Sequence, residues 1–302
     1  DQFLAGREFE CDAVCDGEDV LIPGIFEHID PSGIHSGDSI ADFPSYSLTK
    51  EQQGQVLDFV KVISKELDVH GLLNIQFVLR GGVFWIIEAN PRASRTVPIV
   101  SKISKLPVID MAVGIALGER LRDMPYGTGL YPETGQWSVK VPVFSNDKLP
   151  GLDPKLGPRM MSTGESLGVA DNLADAIMDG LKGSGWLPPA TGRILMSIAD
   201  SEKAEAMPVA SQYKMLGWEI DATEGTAAYL KKWGIEVNRV ERAELVRRLR
   251  GGEWDLVLNI PGGNERHMAD GAMIRKQACS AGTPCLHSIA AAWAVAAGLN
   301  SR

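Results

Sequence analysis

Asn74-Ile75-Gln76-Phe77 and, a short distance on, Ile86-Ile87-Glu88-Ala89-Asn90-Pro91-Arg92 place amide and carboxylate oxygens in two neighbouring stretches. In an extended chain alternate side chains share a face, so Glu88 and Asn90 are expected to point together while Ile87 and Ala89 point away. Gln76 joins them if the two stretches pair. Oxygen ligands of this kind suit Mg²⁺, which takes few protein ligands and completes its shell with water and nucleotide phosphates. Pro91 has no amide hydrogen, so the strand should end there. That puts Arg92 and Arg95 on the following loop, where guanidinium forks match phosphate oxygens and stabilise the charge that grows in phosphoryl transfer. Any two of these residues alone are better explained by a polar strand edge with surface arginines. The whole set favours a metal and phosphate site.

Such a site needs strands to align it. Arg80-Gly81-Gly82 separates apolar runs at 72–79 and 83–88 and predicts an antiparallel hairpin. A second hairpin is predicted over 8–28, where Asp16-Gly17-Glu18-Asp19 interrupts an alternating pattern. Val56, Phe59, Val60 and Ile63 recur at helical spacing behind Thr49 and predict an amphipathic helix over 49–67. Short helices over 97–104 and 108–117 follow. Residues 125–158 are rich in Gly and Pro and hold one clear strand, 136–143.

Residues 182–189, Lys-Gly-Ser-Gly-Trp-Leu-Pro-Pro, have linker composition and precede a change of rhythm. Beyond them, apolar runs at 194–198, 218–220 and 256–260 alternate with helical patterns at 201–216, 226–233 and 269–281. This implies a parallel sheet with crossover helices. The fold class expected is α/β and α+β, divided at 1–122, 123–188 and 189–302.

The second part carries its own candidate site. Asp221-Ala222-Thr223-Glu224-Gly225-Thr226 joins a strand to a helix, where hydroxyls and free backbone amides favour an anion. Asn259-Ile260-Pro261-Gly262-Gly263-Asn264 ends another strand, and open parallel sheets bind ligands beyond their carboxyl ends. Ser197 and Lys203 could complete the pocket. Helix capping explains Thr223 and Thr226, taken singly, equally well.

Bulk properties narrow the class. A 302-residue chain has room for at least two cores. Its formal charge of -9 argues against a nucleic-acid partner, which calls for clustered Lys and Arg. The longest apolar stretch, 289–299, falls short of the roughly 20 residues that span a bilayer, so no membrane segment is expected. Cys11, Cys15, Cys279 and Cys285 lie in two distant pairs without zinc-site spacing, which points to reduced cytoplasmic thiols.

Glu88-Ala89-Asn90-Pro91-Arg92-Ala93-Ser94-Arg95-Thr96-Val97-Pro98 resembles the motif of the second ATP-grasp half of the carbamoyl phosphate synthetase large-subunit family. The likeness extends to His28 and His35-Ser36-Gly37-Asp38-Ser39, and downstream to Gly151-Leu152-Asp153-Pro154 and Ser162-Thr163-Gly164-Glu165. It implies the C-terminal part of an ATP-grasp domain followed by a Rossmann-like, methylglyoxal-synthase-like effector domain. It further implies a glutamine-hydrolysing ligase that phosphorylates carbamate for arginine and pyrimidine biosynthesis.

The cofactors implied are ATP and Mg²⁺ (or Mn²⁺). The partners implied are a glutamine amidotransferase small subunit and a small anionic allosteric effector, in an oligomer. Metal ligands fall on Gln76, Glu88 and Asn90, with Gln76 and Glu88 also touching nucleotide. Phosphate-facing arginines fall on Arg92 and Arg95, and a nucleotide-loop histidine on His35, with His28 and Ser36 secondary to it. Effector residues fall on Ser197, Lys203, Thr223, Thr226 and Asn259. Met161 stands where the family pattern leads one to expect Arg, and 260–263 depart from its Thr/Ser-rich loop. Because the family clamps ATP between two subdomains, this chain alone is expected to be inactive. Two alternatives stay open at this stage: another ATP-grasp ligase, and an effector-binding module with a non-catalytic ATP-grasp remnant.

Overall fold

Asp16 ends the first strand by accepting, through Oδ1, the amides of Glu18 and Asp19 at 3.0 and 2.7 Å, while Gly17 adopts φ +86°. Strands β1 (Arg7–Asp16) and β2 (Val20–His28) thereby close as the predicted hairpin. The computed structural model describes residues 3–145, 153–260, 262 and 265–301. Gly151, Leu152, Pro261, Gly263 and Asn264, named above, lie outside the described residues.

β3 (Ala41–Phe43) leads to α1 (Lys50–Glu66), which opens on a capping box in which Thr49 and Gln52 each accept the other's backbone amide. β4 (His70–Arg80) and β5 (Val83–Asn90) form the second hairpin, turning on Gly81 and Gly82 at φ +58° and +79°. Both positive values are what a two-residue type I′ turn demands. Then come α2 (Val97–Ser104), α3 (Val108–Ala116), β6 (Gly129–Leu130), β7 (Trp137–Val143) and β8 (Gly164–Ala170).

These strands make one eight-stranded sheet in the order β5-β4-β1-β2-β3-β7-β8, with β6 beside β2. Phe9, Cys11, Ala13 and Cys15 of β1 and Leu73, Ile75 and Phe77 of β4 form a core with Val56 and Val60 of α1. The intervening residues of β1, Glu8, Glu10 and Asp12, therefore face the other side. That side is apolar only where α2 and α3 cover it, around Val14, Leu21 and Phe26. α4 (Leu173–Gly183) takes up Lys182 and Gly183, which composition assigns to a linker, because Ala176, Ile177 and Leu181 bury one face of the helix.

The second sheet is wholly parallel, in the order β11-β10-β9-β12-β13. Its strands are β9 (Arg193–Ile198), β10 (Glu219–Thr223), β11 (Asn238–Val240), β12 (Leu256–Ile260) and β13 (Cys285–Leu286). The helices are α5 (Lys203–Met215), α6 (Glu224–Lys232), α7 (Arg242–Arg250), α8 (Glu265–Ser280) and α9 (Ile289–Asn300). The parallel sheet with crossover helices is as expected, with β11, α7, β13 and α9 added. No helix among the described residues is long and apolar enough to cross a membrane. Contacts group Asp1–Lys140 with Leu167–Ala176, and Val141–Ser166 with Ile177–Arg302.

Candidate functional site

Strand register puts the first site together. Gln76 stands opposite Glu88 and Asn74 opposite Asn90 across β4 and β5, while Glu10 and Asp12 of β1 flank Gln76 and Asn74 on the other side. The register slips between Gln76 and Phe77, which makes Ile87 a bulge; strict alternation therefore holds from Glu88 to Asn90 but not across Ile86 and Ile87. Asn90 Nδ2 donates to Glu88 Oε1 at 2.8 Å and Gln76 Nε2 donates to Ser36 Oγ at 3.0 Å. With each amide NH₂ engaged by a neighbour, its oxygen is the atom left for a cation. One carboxylate and two amide oxygens fit Mg²⁺, which draws the rest of its shell from phosphate and water. Among the described residues no group of three or more His, Cys, Asp or Glu forms a metal cluster, so the amides are essential to this set.

The arginine loop is pinned from below. Asp12 Oδ2 accepts from Ser94 Oγ at 2.9 Å and from Thr96 Oγ1, and Oδ1 accepts from Asn74 Nδ2 at 3.2 Å. Burial, and next the charge of Glu10, push the Asp12 carboxyl up to about 6 against the lowering effect of these donors. Arg92 is exposed, its Nη1 donating to Ala93 O at 3.1 Å, and Arg95 is half-buried. Asp12→Ala strands buried donors, so the isolated chain should lose about 2 kcal/mol or more of unfolding free energy, read by urea denaturation.

His35 Nδ1 accepts from Gly37 N at 3.1 Å, which caps the turn Ser36–Asp38 and leaves Nε2 for a ligand. A lysine holds this turn to the sheet: the fully buried Lys140 of β7 donates to Ser36 O at 2.6 Å and lies 3.8 Å from Glu10 Oε1. His28 lies between Glu8 (3.5 Å) and Glu10 (4.0 Å). Burial alone would raise the Glu10 carboxyl, but the Lys140 charge and His28 bring it down to about 2. At 3.8 Å the Lys140 contact to Oε1 is an ion pair rather than a hydrogen bond, and His28 at 4.0 Å is also beyond hydrogen-bond reach of that atom. Burial holds Glu8 above the usual carboxylate range. Glu10, Asp12 and Lys140 were missed from sequence. The available signal was an acid at every second position of 8–12, alternating with the apolar Phe9 and Cys11.

The second site is a cavity of about 390 Å³ at the C-terminal ends of β9, β10 and β12, lined by all five expected residues, Ser197, Lys203, Thr223, Thr226 and Asn259. It also takes in Arg242, His267 and Asp270, which sequence did not single out. Lys203 pairs with Asp200, and Arg242 with Asp270 at 2.5 Å. Thr223 occupies the N-cap of α6, yet its side chain caps no amide and instead donates to Thr226 Oγ1 at 3.3 Å. Thr226 Oγ1 accepts from Ile198 N at 3.0 Å and so ties α6 to β9. A Cβ on Gly225 would sit 3.1 Å from Lys203 Nζ, which places the ammonium against the first turn of α6. An ammonium beside the positive end of a helix favours an anion in the space between.

Comparison with known proteins gives two family matches: carbamoyl-phosphate synthase L chain, ATP binding domain, over residues 1–124, and MGS-like domain over residues 205–287. The carbamoyl phosphate synthase large chain of Lachnoclostridium phytofermentans is 41% identical across all of this chain, and that of Clostridium botulinum (strain Kyoto / Type A2) is 44% identical over 92% of it. The chain belongs to the carbamoyl phosphate synthase large-chain family, whose C-terminal portion it matches. It spans only 29% and 27% of the length of those two relatives. The biotin carboxylase domain of a single-chain bacterial carboxylase superposes with a TM-score of 0.48 at 15% identity, covering 60% of this chain and 47% of that one. Within the carbamoyl phosphate synthase matches, the ATP-binding segment contains His35, Gln76, Glu88, Asn90, Arg92 and Arg95 as well as Glu10 and Asp12. Lys140 lies beyond it. The MGS-like segment contains Thr223, Thr226, Arg242 and Asn259, whereas Ser197 and Lys203 precede it although both line the cavity.

Proposed function

We propose that this chain, as part of a longer carbamoyl phosphate synthase large chain, takes part in the MgATP-dependent phosphorylation of carbamate to carbamoyl phosphate and receives a small anionic effector in its C-terminal domain. On this reading the ATP-grasp part runs to residue 122, an extension and linker to 188, and the effector domain from 189 to 302. The enzyme is a cytoplasmic oligomer whose ammonia comes from a glutamine amidotransferase small subunit, and its product feeds arginine and pyrimidine synthesis. The observation that carries the reading is the register of β4 and β5, which sets Glu88, Asn90 and Gln76 on one face beside the loop of Arg92 and Arg95.

A Mg²⁺ ion (or Mn²⁺) held by Gln76, Glu88 and Asn90 would supply neutralisation of phosphate charge. The chain's own residues do the rest. Arg92 and Arg95 orient the phosphoryl oxygens, Asp12 keeps their loop seated, and Lys140 fixes the turn that presents His35. A full-length chain bearing these residues, given bicarbonate, ammonia and MgATP, is expected to form carbamoyl phosphate. If it bound MgATP and formed none, the reading would fall. The 302-residue chain alone is expected to show no carbamate-dependent ATP turnover, because Glu88 and Arg92 lie open to water that must be excluded from phosphoryl transfer.

A further inference from the structure

Arg275 of α8 is buried, with 1% of its side chain exposed, and among the described residues its guanidinium hydrogen-bonds to two, Asp153 and Asn259. Nε and Nη2 grip the two carboxylate oxygens of Asp153 at 2.7 and 2.6 Å, a bidentate pairing that fixes the guanidinium plane. Nη1 donates to Asn259 Oδ1 at 2.7 Å. A guanidinium can only donate, so the amide of Asn259 is locked with its oxygen toward Arg275 and its NH₂ turned away. That Nδ2 is buried and has no hydrogen-bond partner among the described residues, while Asn259 itself lines the cavity. A buried donor left without an acceptor costs about 1–3 kcal/mol, which a ligand atom of the right polarity would return.

We infer that Arg275, itself held by Asp153, is a positioning residue that fixes Asn259 as a hydrogen-bond donor, so that the cavity selects ligands presenting an acceptor there, a phosphate or carbonyl oxygen. The inference rests on the effector reading of this cavity and adds to it the polarity of one contact and the residue that sets it. Asn259→Asp tests the polarity. The carboxylate keeps the shape and pairs with Arg275, but it offers an acceptor where the ligand offers one too. Arg275→Met tests the positioning, because it frees the amide to rotate while Asp153 retains access to water.

The probes are inorganic phosphate and uridine and inosine monophosphates, titrated calorimetrically into the 302-residue chain and the two variants. Nitrogen-15 NMR is run alongside to follow the Asn259 side-chain amide, assigned by its loss in Asn259→Asp. Asn259→Asp should keep the thermal midpoint and weaken the tightest probe on the order of 30-fold, and Arg275→Met should weaken it about tenfold. Arg275→Met should also shift the Asn259 amide pair, which a purely structural role for Arg275 would leave in place. Unchanged binding in Asn259→Asp, or an unmoved amide pair in Arg275→Met, would overturn the inference. If the unmodified chain bound none of the probes, the effector reading would fail, while the amide shift would still decide whether Arg275 orients Asn259.

Discussion

Glu88→Gln in the full-length enzyme is expected to lower carbamoyl phosphate synthesis by about 10²–10³-fold, equivalent to roughly 3–4 kcal/mol of transition-state stabilisation. Glu88 is the sole carboxylate among the three candidate ligands, so its replacement removes the charge that draws a divalent cation to the face. Gln keeps the length of the side chain and can still accept from Asn90 Nδ2, so local geometry should survive. Glu88 is also exposed, and exposed substitutions of this kind rarely move stability by more than about 0.5 kcal/mol. The loss should therefore appear in turnover and in the magnesium dependence of the rate, with the thermal midpoint nearly unchanged. Glu10 offers no substitute ligand, since it is buried and faces Lys140. Full synthesis by the variant, at unaltered magnesium dependence, would show that Glu88 is not a ligand.

The hairpins of the first sheet were legible because each carries its turn in the sequence, Asp16-Gly17 in one and Gly81-Gly82 in the other, between runs of period two. The ligand face followed from that period, and the bulge at Ile87 did not, because the extra residue repeats the isoleucine before it and so leaves no compositional mark of the register slip. In the second sheet α9 escaped notice for a related reason. Its sequence, Ile-Ala-Ala-Ala-Trp-Ala-Val-Ala-Ala-Gly-Leu-Asn, is apolar all round, so it has no polar face to reveal a helical period. α7 has the opposite problem, since only Leu245 and Leu249 are buried among its arginines. The strands β11 and β13, of three and two residues, are too short for any pattern.

The candidate residues that escaped the sequence share a different property: each acts through a partner far away in the chain. Asp12 reaches Ser94 and Thr96, and Arg275 joins Asp153 to Asn259. Spacing along the chain cannot reveal such pairs, because strand order and helix packing create them. A lysine between two valines, such as Lys140, reads from sequence as the solvent side of a strand. The structure buries it completely, and burial of a cation is tolerable only beside a charge or acceptor that the sequence does not identify.

Lys140→Met should therefore be among the most damaging substitutions in the first sheet, costing about 3–5 kcal/mol of unfolding free energy at pH 7. Methionine fills the space of the aliphatic stem but leaves Glu10 as a buried carboxylate without its nearest cation, and Ser36 O without its donor. The sign of the pH dependence follows from Glu10. In the native chain its carboxyl is depressed to about 2 from an ordinary 4.5, so the stability it contributes is present above pH 4.5 and is lost as pH falls from 4.5 through 2. Without Lys140 the burial contribution dominates, the folded carboxyl rises above its unfolded value, and the ionised form becomes the destabilising one. The deficit of the variant should then be largest above its raised Glu10 value and should shrink on acidification from there toward 2, as Glu10 becomes neutral and no longer needs a cation. Urea denaturation of the native and Lys140→Met chains at pH 7 and pH 4 measures that difference; titrating groups away from the pair cancel between the two proteins, whereas Glu8, Asp12 and His28 feel its charges and do not cancel. A gap of the same size at both pH values would mean that Lys140 acts through packing or through Ser36 alone. A gap that narrows toward pH 4 would establish Lys140 and Glu10 as a buried pair whose charge holds the His35 turn against the candidate metal face.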